Sequence, residues 1–225
     1  MKGKAMPQAV IFDLDGTLAD TIEDIAASVN RSLALRGFPT HGIPHFKLMV
    51  GNGFKNLVRI ALPEAERRDD LVEEMRAEAS AYYAEHLVVA TRPYPGIPEL
   101  LAELGKRGLP HAVLSNKPDA LAKRLVEAIF PKAGFAFVRG EVEAFPRKPA
   151  PDSALDLAAR IGLAAGEIVY LGDSDVDMAT AQNAGMVAVG AAWGFRGAAE
   201  LEAAGAKLVI RKPQELLALL EKNAR

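Results

Sequence analysis

Two acidic clusters hold most of the chemistry that this sequence can do. The first is Asp13-Leu14-Asp15-Gly16-Thr17-Leu18, directly after the apolar run Ala9-Val10-Ile11-Phe12. The second is Gly172-Asp173-Ser174-Asp175-Val176-Asp177, directly after Ile168-Val169-Tyr170-Leu171. A short apolar run that enters a polar, glycine-containing turn reads as a buried strand, so both clusters leave the carboxyl ends of strands. In open α/β sheets, ligands bind at those ends. The Asp-x-Asp spacing puts the Asp13 and Asp15 carboxylates near one place, and Gly16 lets the backbone turn sharply and bring its amide close to an anion. Asp-Gly alone is ordinary turn chemistry, so the second cluster decides. Asp173 and Asp177 fall about one turn apart if a helix starts near Asp175. An N-cap accounts for one aspartate there, Asp175, but not for three. Carboxylates converging from two strand ends repel each other unless a cation lies between them. Ligation by oxygen alone suits magnesium.

Other residues have less to say singly. Ser115-Asn116 ends an apolar run and offers hydroxyl and amide donors that suit phosphate oxygens. Lys148-Pro149-Ala150-Pro151-Asp152 sets one lysine before a rigid turn and a helix start. Val50-Gly51-Asn52-Gly53 makes a small loop, but no strand precedes it and Asn56 stands where a dinucleotide fingerprint needs its third glycine. Lys47 ahead of this loop, and Lys55 and Arg59 after it, are placed either to meet a substrate carboxylate or to lie solvated. His41, His45, His86 and His111 lack ligand spacing and read as packing or surface residues. Trp193 reads as a packing or cap contact. Gly172 to Val176 is no nucleophile elbow, because the closing glycine is missing.

The elements that position these groups alternate. Strands are predicted over Gln8 to Asp13, His111 to Ser115, Glu167 to Gly172, Met186 to Gly190 and Lys207 to Ile210, with one more between Gly134 and Gly140. Helices are predicted over Ile97 to Lys106, Pro118 to Ile129, Asp152 to Ile161, Asp177 to Ala184 and Pro213 to Leu220. Such alternation implies an α/β fold, a Rossmann-like doubly wound parallel sheet covered on both faces. From about Thr21 to Thr91 the alternation stops. Ile22 to Leu35, Phe54 to Ala61 and Glu64 to Glu85 are helical patterns with no strand among them, and they read as an insertion after the first strand. Thr91-Arg92-Pro93-Tyr94-Pro95-Gly96 is a stiff return linker. The expected organisation is a core of residues 1–20 and 92–225 and a helical cap of residues 21–91.

With 225 residues, 50% of them hydrophobic and 25% charged, the chain has the balance of a globular protein. A net charge of -2 gives no general attraction to nucleic acid or to a membrane surface. Cysteine is absent, so thiolate chemistry and disulfides are excluded. No signal peptide and no apolar stretch of spanning length is legible, and a cytoplasmic location is expected.

In order along the chain, Asp13-x-Asp15-Gly16-Thr17, Ser115-Asn116, Lys148-Pro149 and Gly172-Asp173-x-x-x-Asp177 resemble the four motifs of the haloacid dehalogenase superfamily, over nearly the whole sequence. The resemblance implies a phosphoryl-transfer enzyme acting on a small phosphorylated metabolite. Asp13 would be the covalent nucleophile and Asp15 the general acid and base. Thr17, Ser115, Asn116 and Lys148 would hold the phosphoryl group. Magnesium would take Asp13, the backbone carbonyl of Asp15 and Asp173, with Asp177 holding metal-bound water or orienting Lys148. Asp15 favours a phosphatase or a mutase, since dehalogenase-like and phosphonatase-like members lack an acid there. In caps of the family a loop such as Gly51-Asn52-Gly53 meets the leaving group. Together with Arg92 to Gly96 and Ser115 to Pro118, these runs are similar to the phosphoglycolate phosphatase branch. The run Phe145-Pro146-Arg147 departs from the more polar turn of many relatives. The resemblance therefore names 2-phosphoglycolate first, with a hexose phosphomutase, a pyrophosphatase or a nucleotidase as enzymatic alternatives. A phospho-aspartate receiver is the non-enzymatic one.

Overall fold

The computed structural model describes residues 6–220. In chain order it contains β1 (Ala9–Phe12), β2 (Ala19–Asp20), α1 (Ile22–Ala34), α2 (Ile43–Met49), α3 (Phe54–Ala61), α4 (Asp69–Glu85) and β3 (Arg92–Pro93). There follow α5 (Ile97–Lys106), β4 (His111–Pro118), α6 (Asp119–Ile129), β5 (Phe137–Glu141), α7 (Asp152–Ile161) and β6 (Ile168–Gly172). The series closes with α8 (Asp175–Ala184), β7 (Val187–Ala191), α9 (Ala198–Ala203) and β8 (Leu208–Ile210).

The main sheet has six strands in the order β5-β4-β1-β6-β7-β8, and every pairing in it is parallel. The α/β fold read from the alternating pattern is therefore the one observed. β1 lies in the middle, with Phe12 level with Val113 of β4 on one side and Leu171 of β6 on the other. The chain winds outward from β1 in both directions, so the carboxyl end of β1 is the switch point where such sheets open a crevice.

Successive β1 side chains face opposite layers. Val10 and Phe12 join a cluster with Leu100, Leu104, Leu121 and Leu125 of α5 and α6. Ala9 and Ile11 join another with Ala154 and Leu157 of α7 and Met178 of α8. All four β1 residues are fully buried, which at about 1.5–3 kcal/mol for each large side chain anchors the strand that presents Asp13. The first cluster runs on through Leu14, Leu18 and Val29 to Phe46, Leu57, Met75 and Tyr83. The inserted helices thus pack as an extension of one layer of the sheet.

Several elements differ from the sequence-based expectation. β2 and β3 pair antiparallel where the chain leaves for the insertion and returns from it; at two residues each they are too short to show a periodic pattern. The expected helix Glu64 to Glu85 is broken: Glu64–Glu66 forms a 3-10 turn and α4 starts after Arg68, whose backbone is extended. α2 and α9, of seven and six residues, went unread for want of a full amphipathic repeat. Pro213–Leu219 is 3-10 rather than α-helical. The cap of α8 is Ser174, not Asp175.

Candidate active site

Each strand end at the switch point delivers one functional group. Asp13 follows β1, Ser115 to Lys117 occupy the last turn of β4, and Asp173 follows β6. Asp177 comes from the first turn of α8, and Lys148 from the loop ahead of α7. Asp13, Asp173 and Asp177 are buried, and each offers a carboxylate oxygen within 4.8 Å of the others. Lys148 Nζ lies among them, donating to Asp13 Oδ1 at 2.7 Å and Asp177 Oδ1 at 2.7 Å, and to the Leu114 carbonyl at 3.3 Å. Asn116 grips the lysine's backbone from both sides, donating to the Lys148 carbonyl at 3.1 Å and accepting from the Lys148 amide at 3.0 Å.

These charges perturb one another. Burial, and next the negative charge of Asp177, push the Asp13 carboxyl from its ordinary 3.8 up to about 7 against the pull of Lys148. Burial, Asp177 and Asp13 raise Asp173 well above the usual carboxylate range. Burial acts to lower the Lys148 pKa, but Asp13 and Asp177 outweigh it and hold the ammonium protonated. The second oxygen of Asp177 accepts from the Ser174 amide at 3.1 Å and its hydroxyl at 2.6 Å, which completes the cap of α8. Lys148 thus holds one oxygen of Asp177 and Ser174 the other.

Asp173 is wrapped by backbone. The Phe195 amide donates to its Oδ2 at 2.6 Å and Thr17 Oγ1 to its Oδ1 at 3.3 Å. Gly16 has φ +90°, and a Cβ there would stand 2.2 Å from Asp173 Oδ2; no side chain fits between the acidic loop and this carboxylate. Thr17 is wholly buried behind Asp173, and its carbonyl accepts from Trp193 Nε1 at 2.9 Å. Its hydroxyl supports an acid instead of facing the cavity, because the turn at Gly16 carries it inward. Trp193 likewise serves the core side. Asp13 and Asp173, oxygen donors only and both buried, fit a hard divalent cation.

Asp15 points to a different partner. Both its oxygens accept from Lys117 Nζ, at 2.9 and 3.0 Å, and Oδ1 also accepts from Thr21 Oγ1 at 2.7 Å. Lys117 Nζ in turn lies 4.6 Å from the centre of the Tyr83 ring on α4. Burial works to lower the Lys117 pKa, Asp15 more than reverses it, and the lysine stays charged.

Residues 10–191 match the family described as haloacid dehalogenase-like hydrolase. The chain belongs to this family. The "Phosphoglycolate phosphatase" of Xanthomonas campestris pv. campestris is 34% identical over 192 residues, covering 84% of this chain and 85% of that protein. The protein of the same name from Pseudomonas putida is 34% identical over 216 residues, covering 94% and 79%. Among solved structures, a candidate phosphoglycolate phosphatase from Lactobacillus delbrueckii subsp. bulgaricus superposes with a TM-score of 0.89 at 31% identity, over 96% of this chain and 99% of its own.

In this hydrolase the acidic groups line a cavity of about 50 Å³ roofed by Val50, Gly51 and Gly53 of the insertion. Core side chains hold the roof by its backbone. Asn116 Nδ2 donates to the Gly51 carbonyl at 2.9 Å and Arg147 Nη1 to the Asn52 carbonyl at 3.3 Å. Arg196 Nη2 donates to the carbonyls of Leu48 at 2.8 Å and Val50 at 3.2 Å. Ser115 lines the cavity, and so do Gly51 and Gly53, whereas Asn52 takes part through its carbonyl. Of the two readings of the charged residues nearby, substrate contact and solvated charge, the positions fit the second. Lys55 pairs with Glu73 at 3.3 Å and Arg59 with Asp69 at 2.5 Å, and neither these nor Lys47 reach the cavity wall. Of the histidines, His111 is buried with both ring nitrogens bonded to backbone carbonyls, a packing residue.

Sequence reasoning missed Lys117 and Arg196, both on the cavity wall. Lys117 left a signal, a charged residue two places beyond Ser115 at the end of a buried strand. Arg196 left none, since only the fold brings the loop after β7 beneath α2.

Proposed function

We propose that this enzyme is a magnesium-dependent phosphatase of small phosphate monoesters, 2-phosphoglycolate first among them, with Asp13 as nucleophile. The observation that carries this reading is the Lys148 ammonium held 2.7 Å from Asp13 Oδ1 by Asp177 and Asn116. A buried aspartate so placed at a switch point is oriented and partly neutralised for attack on an electron-rich phosphorus. The phosphatase names of relatives covering most of the chain support the reaction class, and the small cavity supports a small leaving group.

In the first step an Asp13 carboxylate oxygen attacks phosphorus, and the bond from phosphorus to the ester oxygen breaks. Asp15 gives its proton to that leaving oxygen. In the second step Asp15 takes a proton from a water that attacks the aspartyl-phosphate, releasing inorganic phosphate and restoring Asp13. Ser115 and Lys148 donate to the phosphoryl oxygens, and Thr17 acts through Asp173. Asp13, Asp173 and the Asp15 carbonyl would hold magnesium. When bound, it supplies positive charge that lets carboxylates and phosphate share one site. In this reading the catalytic core is residues 1–20 and 92–225, of which residues 1–5 and 221–225 lie outside the described residues, and residues 21–91 are the cap that closes over it. The absence among the described residues of any helix long and apolar enough to cross a membrane is compatible with a small dissolved substrate.

The test is phosphate release from a panel of small monoesters, sugar phosphates, nucleotides and pyrophosphate, with Asp13→Asn alongside. The expected result is magnesium-dependent release that favours 2-phosphoglycolate and vanishes in Asp13→Asn. Full activity in that variant would sink the covalent route. Isomerisation of a sugar phosphate without phosphate release would replace the phosphatase by a mutase.

A further inference from the structure

We infer that Arg196 recognises a carboxylate on the leaving alcohol, and so sets the enzyme's preference for anionic over neutral small esters. The inference rests on the phosphatase reading and adds to it the group that selects the substrate. Three cations line the cavity at its polar end: Lys117, Lys148 and Arg196. Lys148 is matched by Asp13 and Asp177, and Lys117 by both oxygens of Asp15. Among the described residues, the acid paired with Arg196 is Glu200, 3.7 Å away and more than a third exposed. Its Nη2 is spent on two backbone carbonyls of the roof. Its Nε is buried and has no acceptor among the described residues.

A buried guanidinium N–H without an acceptor is costly, and natural structures keep few of them. Here the orphan donor belongs to a side chain on the wall of a cavity whose other cations are already paired. An arriving anion supplies both the missing acceptor and the missing charge. With Nη2 committed, Nε offers one charge-assisted N–H to a single anion oxygen. The two carbonyl bonds hold the group rigid, so little rotamer freedom remains to be lost on binding. The leaving alcohol of the substrate proposed above carries a carboxylate, which is the anion that would meet this donor. Lys55 and Arg59 of the insertion are committed to their own ion pairs, and neither they nor Lys47 line the cavity.

The experiment compares 2-phosphoglycolate with ethyl phosphate, which has a methyl group in place of the carboxylate, in the wild type, Arg196→Ala and Arg196→Lys. The wild type is expected to favour the carboxylate ester. Arg196→Ala should lower kcat/KM for that ester about 10- to 100-fold more than for ethyl phosphate, the range that one charged hydrogen bond gives, with the loss mainly in KM. Arg196→Lys keeps the charge and should recover part of the discrimination, which also guards against a variant that folds poorly. Equal losses on both esters would overturn the inference and leave Arg196 as a clasp for the roof. A wild type that prefers ethyl phosphate to every anionic ester would overturn it as well. Failure of the 2-phosphoglycolate reading would look different: turnover of 3-phosphoglycerate or a sugar bisphosphate instead. The same three proteins then compare that ester with ethyl phosphate, and discrimination lost only on the bisphosphate would replace the carboxylate by a second phosphate.

Discussion

Lys148 Nζ stands 2.7 Å from Asp13 Oδ1, both groups buried, and an equal distance from Asp177 on its other side. One cation thus serves two buried acids, and at Asp13 its pull works against the burial that raises the carboxyl. Lys148→Met removes it and leaves carboxylates with no internal counter-charge. Breaking one side of such a buried pair costs about 3–5 kcal/mol. Thermal unfolding without metal should show a large drop in Tm, and kcat should fall by at least about 10²-fold, as for loss of a charged donor in other active sites. Because Asp177 holds Lys148 on one oxygen and Ser174 on the other, Asp177→Asn should repeat both effects more weakly.

Asp15 is predicted to matter according to how badly the leaving group needs a proton. An alkoxide leaves poorly unless protonated, whereas p-nitrophenolate leaves without help. Asp15→Asn should therefore lower kcat on an alkyl phosphate by about 10²–10⁴-fold, the usual contribution of general acid catalysis. The loss in the first step should be much smaller on p-nitrophenyl phosphate. Rapid-quench measurement of the initial burst on the two esters separates that step from hydrolysis of the intermediate. Equal losses on both would remove Asp15 from the role of acid.

Metal removal has a consequence for stability that depends on pH. In the metal-free chain the Asp13 carboxyl is raised from 3.8 to about 7. For an acid raised in this way, the stabilising contribution is full below its unfolded value and is lost as pH climbs through the folded one. Asp13→Asn has no such proton to lose. The Tm of chelator-treated wild type, taken relative to chelator-treated Asp13→Asn, should accordingly fall between pH 3.8 and about 7. Saturating magnesium should flatten that difference. A difference independent of pH with chelator present would show that Asp13 ionises like an exposed aspartate.

Much of the frame was legible because burial imposes patterns. β1, β4 and β6 are apolar runs that end in Asp13, Ser115 and Asp173, and a parallel sheet brings such ends together whatever the loops do. Asp177 could be placed beside Asp173 from helical spacing alone. What remained hidden depends on contacts between distant segments. Thr17 looks like a phosphate donor in sequence, but the turn at Gly16 buries it behind Asp173. Lys55 and Arg59 look available, but α4 brings Glu73 and Asp69 to meet them. Arg196 is brought to the cavity only because the loop after β7 passes under the roof. Two-residue strands such as β2 and β3 have no period to detect.

The junction between core and insertion gives the last prediction. Asp24, in the first turn of α1, accepts from the amides of Val89 at 3.0 Å, Ala90 at 2.9 Å and Thr91 at 2.9 Å, and from Thr91 Oγ1 at 2.7 Å. One buried carboxylate therefore ties the outgoing helix to the returning linker, beside the β2 and β3 pair. Asp24→Ala would strand several of these donors, at about 1–3 kcal/mol for each group left unsatisfied. For a chain of this size each kcal/mol moves Tm by about 2–4 °C, so a fall of at least about 5 °C is expected. The Asp24 carboxylate does not line the cavity, and its hydrogen bonds go to the returning linker, so turnover per folded molecule should stay within about tenfold when assayed well below Tm. Limited proteolysis should cut faster near Val89 to Thr91, where the amides have lost their acceptor. Unchanged Tm together with a collapsed kcat would mean that Asp24 governs how the insertion meets the core during turnover, rather than how firmly the two are joined.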